Sequence, residues 1–575
     1  MHARKLLCLL LSALLAVTLL AACGGSNFSK DAMAAVNAIQ DTIEFETDSQ
    51  LTKALREAIE SGGDVRTTLL QKLGYSDALT LTAGGLRAAK AGQHALAIYS
   101  ITGDDPDDAA QTAADYIKNI LDSLSGGQYT GKIAMIQIDG VYYIAVDVTV
   151  VEPAPSGGSE DDGDDDPTPD PGYYQTSHNS YVVTTNEGFA ALVDEKLSSD
   201  ELEATNITLD CDVTIPANWP YGMTYSGTFD GQDHTISGLV YNDNSDYFSG
   251  MFGTLTGTVK DCNFADVSIN GGTYTGTVAG FNDGGHIENC SVLSGHVVGT
   301  DLTGGITGNN SVTISDCNVA VAINATVTGT YTATGGIASQ NAPTGSITGC
   351  YVSGNVSSTG RTVGGIVGSN FGNISDSYAT GTITGTMVVG GIVGDNSSSV
   401  EACYATGSIN GTNTVGGVAA INFGTLNACY SSATVTCAGT GFFGGIVANN
   451  AGNVTSCYST GAITGATPSD EYGGGLSGTN SGTITACYTT SSISTQSPST
   501  TGALVGSNNA GFLHTCYWSN SLDEPYGVDT GQSNETGKIG TSLTWEQATQ
   551  NMNAVSGSSI QFVYHNDGQA PTLPI

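Results

Sequence analysis

Seven tyrosines recur once per repeat in the second half of this chain, and of all its residues they are best placed to meet a ligand. Tyr351, Tyr378, Tyr404, Tyr430, Tyr458, Tyr488 and Tyr517 each follow a Cys, or a Ser at Tyr378. Alternation along a strand puts Tyr outward if its Cys points in. An outward aromatic strip could stack sugar rings; packed against Thr380, Thr406 and Thr460, the same column would merely shield a sheet. Three carboxylates, Glu288, Asp316 and Asp376, stand twelve residues after their repeat's glycine. On adjacent coils, Glu288 and Asp316 could approach the ~5 Å carboxyl separation of a retaining glycosidase. No Arg, Lys or His accompanies them, so a solvated face accounts for them, and no catalytic residue is assigned.

Two further columns read as structural. Nine glycines are each followed six residues later by asparagine: Gly276, Gly304, Gly335, Gly364, Gly390, Gly416, Gly444, Gly474 and Gly502 lead to Asn282, Asn310, Asn341, Asn370, Asn396, Asn422, Asn450, Asn480 and Asn508. Stacked amides hydrogen-bond along such a series and satisfy turn backbone. Nine cysteines keep the same rhythm, from Cys262 to Cys516, with Ser377 in the one missing rung. In-register Cβ atoms point in parallel, a poor geometry for disulfides. A buried ladder of reduced thiols is expected, which favours an organism living without oxygen. Ligands strung along a line cannot surround an ion, so no metal and no cofactor is assigned.

The elements that carry these columns must repeat with them. The glycine spacing is 26 to 31 residues, a period typical of solenoids. Each coil is read as three short strands, as in VGGIVGSNFGNISDSYATGTITG (363–385): GGIVG, the Ile-to-Tyr segment and GTITG. The expected fold is mainly β, a right-handed parallel β-helix of about ten coils over 173–530, with a C-terminal cap over 531–575. A helix is expected in TWEQATQNMNAV (544–555). Before the solenoid, 27–151 reads as a small α+β domain. Its HALAIYSI segment (94–101) is a strand, a helix opens at Pro106, and a hairpin turns at Asp139-Gly140. Residues 152–172, EPAPSGGSEDDGDDDPTPDPG, form an acidic Pro-rich linker.

Composition narrows the partners. Among 575 residues only 15 are Lys or Arg, and the net charge is −39. Nucleic acid and anionic membrane surfaces need clustered basic residues, so neither is expected as a direct partner. Residues 1–22 read as a signal peptide: basic Arg4 and Lys5, an apolar Leu6–Leu20, then Leu20-Ala21-Ala22-Cys23. That ending resembles the lipobox of bacterial lipoproteins. The resemblance implies lipidation at Cys23, with 23–26 as lipidated Cys and tether. The protein would then sit on the extracytoplasmic face of a bacterial cell membrane, at the cell surface.

The coils themselves resemble the GLUG motif of bacterial surface proteins. GGIVG at 364–368 and 390–394, and GGIVA at 444–448, carry the likeness. GTFDGQDHTISGL (227–239) is similar to the entry segment of such proteins, and Cys516-Tyr517-Trp518 to their closing coil. The resemblance spans roughly 205–575 and implies an adhesin-like surface protein. Some relatives are immunoglobulin-A-cleaving metallopeptidases whose zinc domain lies elsewhere. None of the eight His here is followed by Glu, so the HExxH of such a peptidase is missing and the activity does not carry over. The sequence therefore points to a non-enzymatic lipoprotein. Its β-helix would bind an extended ligand, a glycan or a host or neighbour-cell surface protein. A polysaccharide lyase or hydrolase, or a passive structural rod, stands as the alternative.

Overall fold

The computed structural model describes residues 28–575 apart from 41–42, 62–64, 76–77, 82–89, 103–104, 122–127, 139, 153–171, 178, 199–200, 327–331, 467–471, 497, 530, 535, 541 and 566. The segment read as a signal peptide, Cys23 and residues 24–26 behind it lie outside the described residues, as does most of the expected linker. Glu152 closes the strand Val141–Glu152, and the Gly172 carbonyl accepts from the amides of Thr184 and Thr185, so both linker ends belong to folded units. The chain divides into two compact units, 1–169 and 170–575.

The first unit is a five-stranded mixed sheet between two pairs of helices. Its strand order is Phe45–Thr47, Gln128–Ile138, Val141–Glu152, His94–Thr102, Leu79–Thr80. The strands Gln128–Ile138 and Val141–Glu152 pair antiparallel on either side of the expected turn, which includes residue 139 outside the described residues, and the strand at 94 forms where the sequence places it. Period-2 alternation splits the central strand between two cores. Ile133 and Met135 face helices Ser29–Ile39 and Pro106–Leu121, while Ala134 and Ile136 face Ser49–Glu60 and Val65–Leu73.

The second unit is a parallel β-helix. Five sheets of 12, 15, 13, 10 and 10 strands run along it, and pairing in register stacks each residue type on its own kind, as with Asn370 on Asn396 and Tyr378 on Tyr404. One turn comprises Thr362–Gly364, Val367–Asn370, Asn373–Ser375, Tyr378–Ala379 and Thr382–Thr384. Five strands per coil replace the expected three, because GGIVG is broken at Gly365-Ile366 between Thr362–Gly364 and Val367–Asn370, and the Ile-to-Tyr segment is broken at the Asp376 corner. A Cβ on Gly364 would lie 1.9 Å from the Val367 carbonyl oxygen, and one on Gly368 2.7 Å from the Thr334 amide. Only glycine lets the backbone double back so closely.

The column of coils through the asparagines also exceeds ten. The sheet containing Val367–Asn370 starts at Thr224–Tyr225 and ends at Tyr526–Asp529, twelve strands in all. Its outermost coils put Tyr225, Leu255 and Asp529 in the asparagine column, and so escape a search for the Gly-to-Asn signature. The last partial turn continues past residue 530 through Gln532–Asn534 and Gly537–Lys538.

Coil interiors are apolar. Val363, Ile366, Val367, Ile374 and Ile383 are all buried in one turn. Helix Asn186–Ser198 closes the first rung with Phe189, whose ring centroid lies 5.9 Å from that of Trp219 and 6.3 Å from that of Phe229. Covering a terminal rung in this way removes an exposed edge and an apolar end. The C-terminal helix Trp545–Val555, opened by a capping box at Thr544 and Gln547, packs on the flank of the solenoid instead.

Candidate functional site

The asparagine column is buried and internally satisfied. Each Nδ2 donates to the Oδ1 of the next coil, from Asn282 to Asn310 at 2.8 Å through Asn480 to Asn508 at 3.0 Å. All nine side chains have no exposure, so no ligand reaches them and the structural role expected from sequence is what geometry allows. The series has a defined start: the Oδ1 of Asn282 has no partner, because the rung before it is Leu255.

The cysteine column is also interior. Each thiol is buried and free, and donates to the carbonyl two residues back, as Cys403 does to Glu401 at 3.1 Å. Ser377 reproduces that bond to Ser375 at 2.7 Å. Burial pushes the Cys403 thiol up to about 12. The residue before each ladder position turns the corner in the left-handed region, from Asn289 at φ 48° to Gly349 at φ 65°. On the earlier coils this corner holds Asp261, Asn289, Asp316 and Asp376, types that tolerate that backbone. On later coils it holds Ala428, Ser456, Ala486 and Thr515, all buried.

Immediately after this corner comes the tyrosine column, which the fold divides in two. Rings from Tyr351 to Tyr488 stack in parallel, with centroids 4.4 to 4.9 Å apart. Tyr351, Tyr378, Tyr404 and Tyr430 are half-buried. Tyr458, Tyr488 and Tyr517 are only 7%, 1% and 3% exposed. The C-terminal segment covers them with Trp545, Met552, Phe562 and Leu573. The Tyr488 hydroxyl donates to the Pro571 carbonyl, and Asn551 Nδ2 donates to the Tyr517 hydroxyl at 3.0 Å. Where cover ends, a groove of about 440 Å³ lies between Tyr430, Tyr458 and Tyr488 on one side and Ala570, Pro571 and Thr572 on the other.

Stacking also changes what the open rungs can offer. Each inner ring's faces are taken by its neighbours, so the ladder presents ring edges and hydroxyls rather than free faces for sugars. Tyr351 bonds Thr380 Oγ1 at 3.1 Å. The hydroxyls of Tyr378, Tyr404 and Tyr430 have no hydrogen-bond partner among the described residues. Outward-facing Ser432 and Thr460 line the groove beside the ladder.

The three carboxylates do not form a set. Asp316 and Asp376 occupy the left-handed corner, whereas Glu288 precedes it and pairs in register with Ser315. Equal distance from the glycine conceals this one-residue offset. All three are exposed. Among the described residues no group of three His, Cys, Asp or Glu is placed to hold a metal ion.

One polar cluster was not legible in sequence. In the first unit, Asp147 is 1% exposed and accepts from the Tyr75 hydroxyl at 2.7 Å, with His94 Nδ1 at 2.9 Å. The Tyr75 and His94 rings stack at 3.8 Å, and Thr149 Oγ1 lies 3.1 Å from the same His94 nitrogen. These residues are far apart in the chain. Only the alternation of a buried strand around Asp147 hinted that a charge had to be matched.

Comparison with known proteins finds a repeat motif and a weak likeness to a solved structure. The GLUG motif matches residues 359–384, which is one turn of the solenoid. No curated protein matches. The crystal structure of a putative immunoglobulin A1 protease from Bacteroides ovatus aligns with 67% of this chain and 90% of its own, at 15% identity and a TM-score of 0.23.

Proposed function

We propose that this GLUG-motif β-helix protein is a lipid-anchored bacterial surface protein that binds an extended ligand along Tyr351–Tyr430. The observation that carries the reading is the division of one ladder. The chain covers the C-terminal rungs with its own tail as far as the edge of Tyr430 and leaves Tyr351, Tyr378 and Tyr404 uncovered, the hydroxyls of Tyr378 and Tyr404 having no partner among the described residues. A ladder that only shielded the sheet would gain by being covered throughout. Anchoring rests on Leu20-Ala21-Ala22-Cys23 alone, and Cys23→Ala would release the protein from the membrane fraction.

The test is binding of the purified, reduced protein to an array of glycans and matrix proteins. A saturable partner that is lost when Tyr378, Tyr404 and Tyr430 become Ala, with an unchanged circular dichroism spectrum, supports adhesion. Binding that ignores the triple change refutes it. The covered half favours a second reading, a structural rod in which the tyrosines serve packing; that reading stands if nothing on the array binds.

A further inference from the structure

The covered rungs show what kind of chain lies well on this ladder. Ala570–Pro571–Thr572 sits across the groove from Tyr458 and Tyr488, and the Tyr488 hydroxyl donates to the prolyl carbonyl. The neighbouring hydroxyls offer the same donor with nothing to receive it. Going on the reading that the ladder is a binding face, we propose that its open rungs take an extended, proline-containing, basic segment of a partner polypeptide.

Three features point to that chemistry. Stacked rings expose edges separated by 4.7 Å, so bound groups must enter notches and accept hydrogen bonds. A polyproline II strand advances ~3.1 Å per residue and repeats every three, so one of its turns spans about two rungs. Prolyl carbonyls are strong acceptors with no competing amide on their own residue, and the polyproline strand is already extended, so little ordering cost remains. Charge supplies the third feature. Asp376 and Glu401 lie two and three residues before Tyr378 and Tyr404 in the chain, and between Lys260 and Lys538 the one Lys or Arg is Arg361. A partner bearing Lys or Arg meets no like charge there and is steered inward.

The experiment is a fluorescence-polarisation titration of the full chain under reducing conditions. The probe is a labelled peptide of repeated Pro-Thr-Pro-Lys, and the control is its Gly-for-Pro counterpart of equal charge. The Pro peptide should bind more tightly. Tyr404→Phe removes one donor and keeps the stack, and should weaken binding roughly 2- to 10-fold; Tyr378→Phe with Tyr404→Phe should weaken it further. Equal binding of the two peptides overturns the inference, as does indifference to both Phe changes. A glycan that binds and depends on Tyr404, with no peptide binding, overturns this inference while sparing the broader reading. Failure of peptides, glycans and matrix proteins alike overturns both.

Discussion

Leucine substitution at two positions of the asparagine ladder should have very different costs. Asn396 is interior: it accepts from Asn370 Nδ2 and donates to Asn422 Oδ1, both at 2.8 Å. Asn396→Leu leaves Asn422 Oδ1 a buried acceptor without a donor, and leaves Asn370 Nδ2 only the 3.4 Å contact to the Ser399 carbonyl. An orphaned buried acceptor and a weakened donor together cost about 2–4 kcal/mol. Asn282 is the first rung, and its Oδ1 is already unpaired. Asn282→Leu removes that orphan and creates the equivalent one on Asn310, so the ladder starts one rung later. Leu255 shows that leucine suits the column. The expected cost is within about 1 kcal/mol, one lost hydrogen bond offset by apolar burial. Urea unfolding followed by far-UV circular dichroism, with equal slopes in both variants, measures the difference. If the two leucines cost the same, or if Asn282→Leu costs more, the ladder does not hold the coils as described.

The buried thiols Cys262, Cys317, Cys403, Cys429 and Cys487 are raised by burial and should ignore a disulfide reagent at pH 8 until denaturant is added. Among the described residues only half-buried Cys211 is within reach, and native reaction located by peptide mapping at the ladder cysteines would contradict a closed ladder. Asp395 is flanked in register by Ser369 and Ile421, has an unpaired Oδ1, and is raised by burial although Arg361 lowers it. A raised folded pKa favours the protonated fold, so stability falls as pH climbs from the unfolded value of ~3.9. Asp395→Asn should therefore be stabilising at pH 7, with the gain shrinking as pH falls toward the unfolded value; an undiminished gain in acid would mean that charge is not the cause. Tyr488→Ala removes a fully covered ring and should cost about 3–5 kcal/mol. Tyr404→Ala, at a half-open rung, should cost less than half of that, and thermal melts of the pair would expose any error in how the cap is placed.

Much of this was readable in the chain. The glycine-to-asparagine period gave the parallel β-helix, and the polar Asn recurring at one position foretold a satisfied buried amide series. Alternation placed Cys inward. Five strands per coil are not legible because Gly365-Ile366 and the Asp376 corner interrupt what the pattern presents as continuous strands. The end coils are hard to see because they exchange Asn for Tyr225, Leu255 and Asp529. The cover over the last tyrosines was missed, yet the corner residues carried its signal. Asp261, Asp316 and Asp376 face water, whereas Ala428 and Ala486 occupy a strained left-handed backbone that only close packing justifies. A cluster such as Tyr75, His94 and Asp147 has no comparable trace, since pairing between distant strands creates it.

The direction of the asparagine bonds bears on how such a rod is made. From Asn282 to Asn480 each side-chain amide sends one hydrogen toward the coil that the ribosome delivers next. The second hydrogen can stay within its own turn, as that of Asn396 does on the Ser398 carbonyl at 3.1 Å and that of Asn422 on the Gly424 carbonyl at 3.3 Å. Each finished turn thus holds its amide in place with one donor still to be met, a template that fixes the register of its successor. Assembly can follow the order of synthesis one turn at a time, with the tail that closes over the tyrosines arriving last.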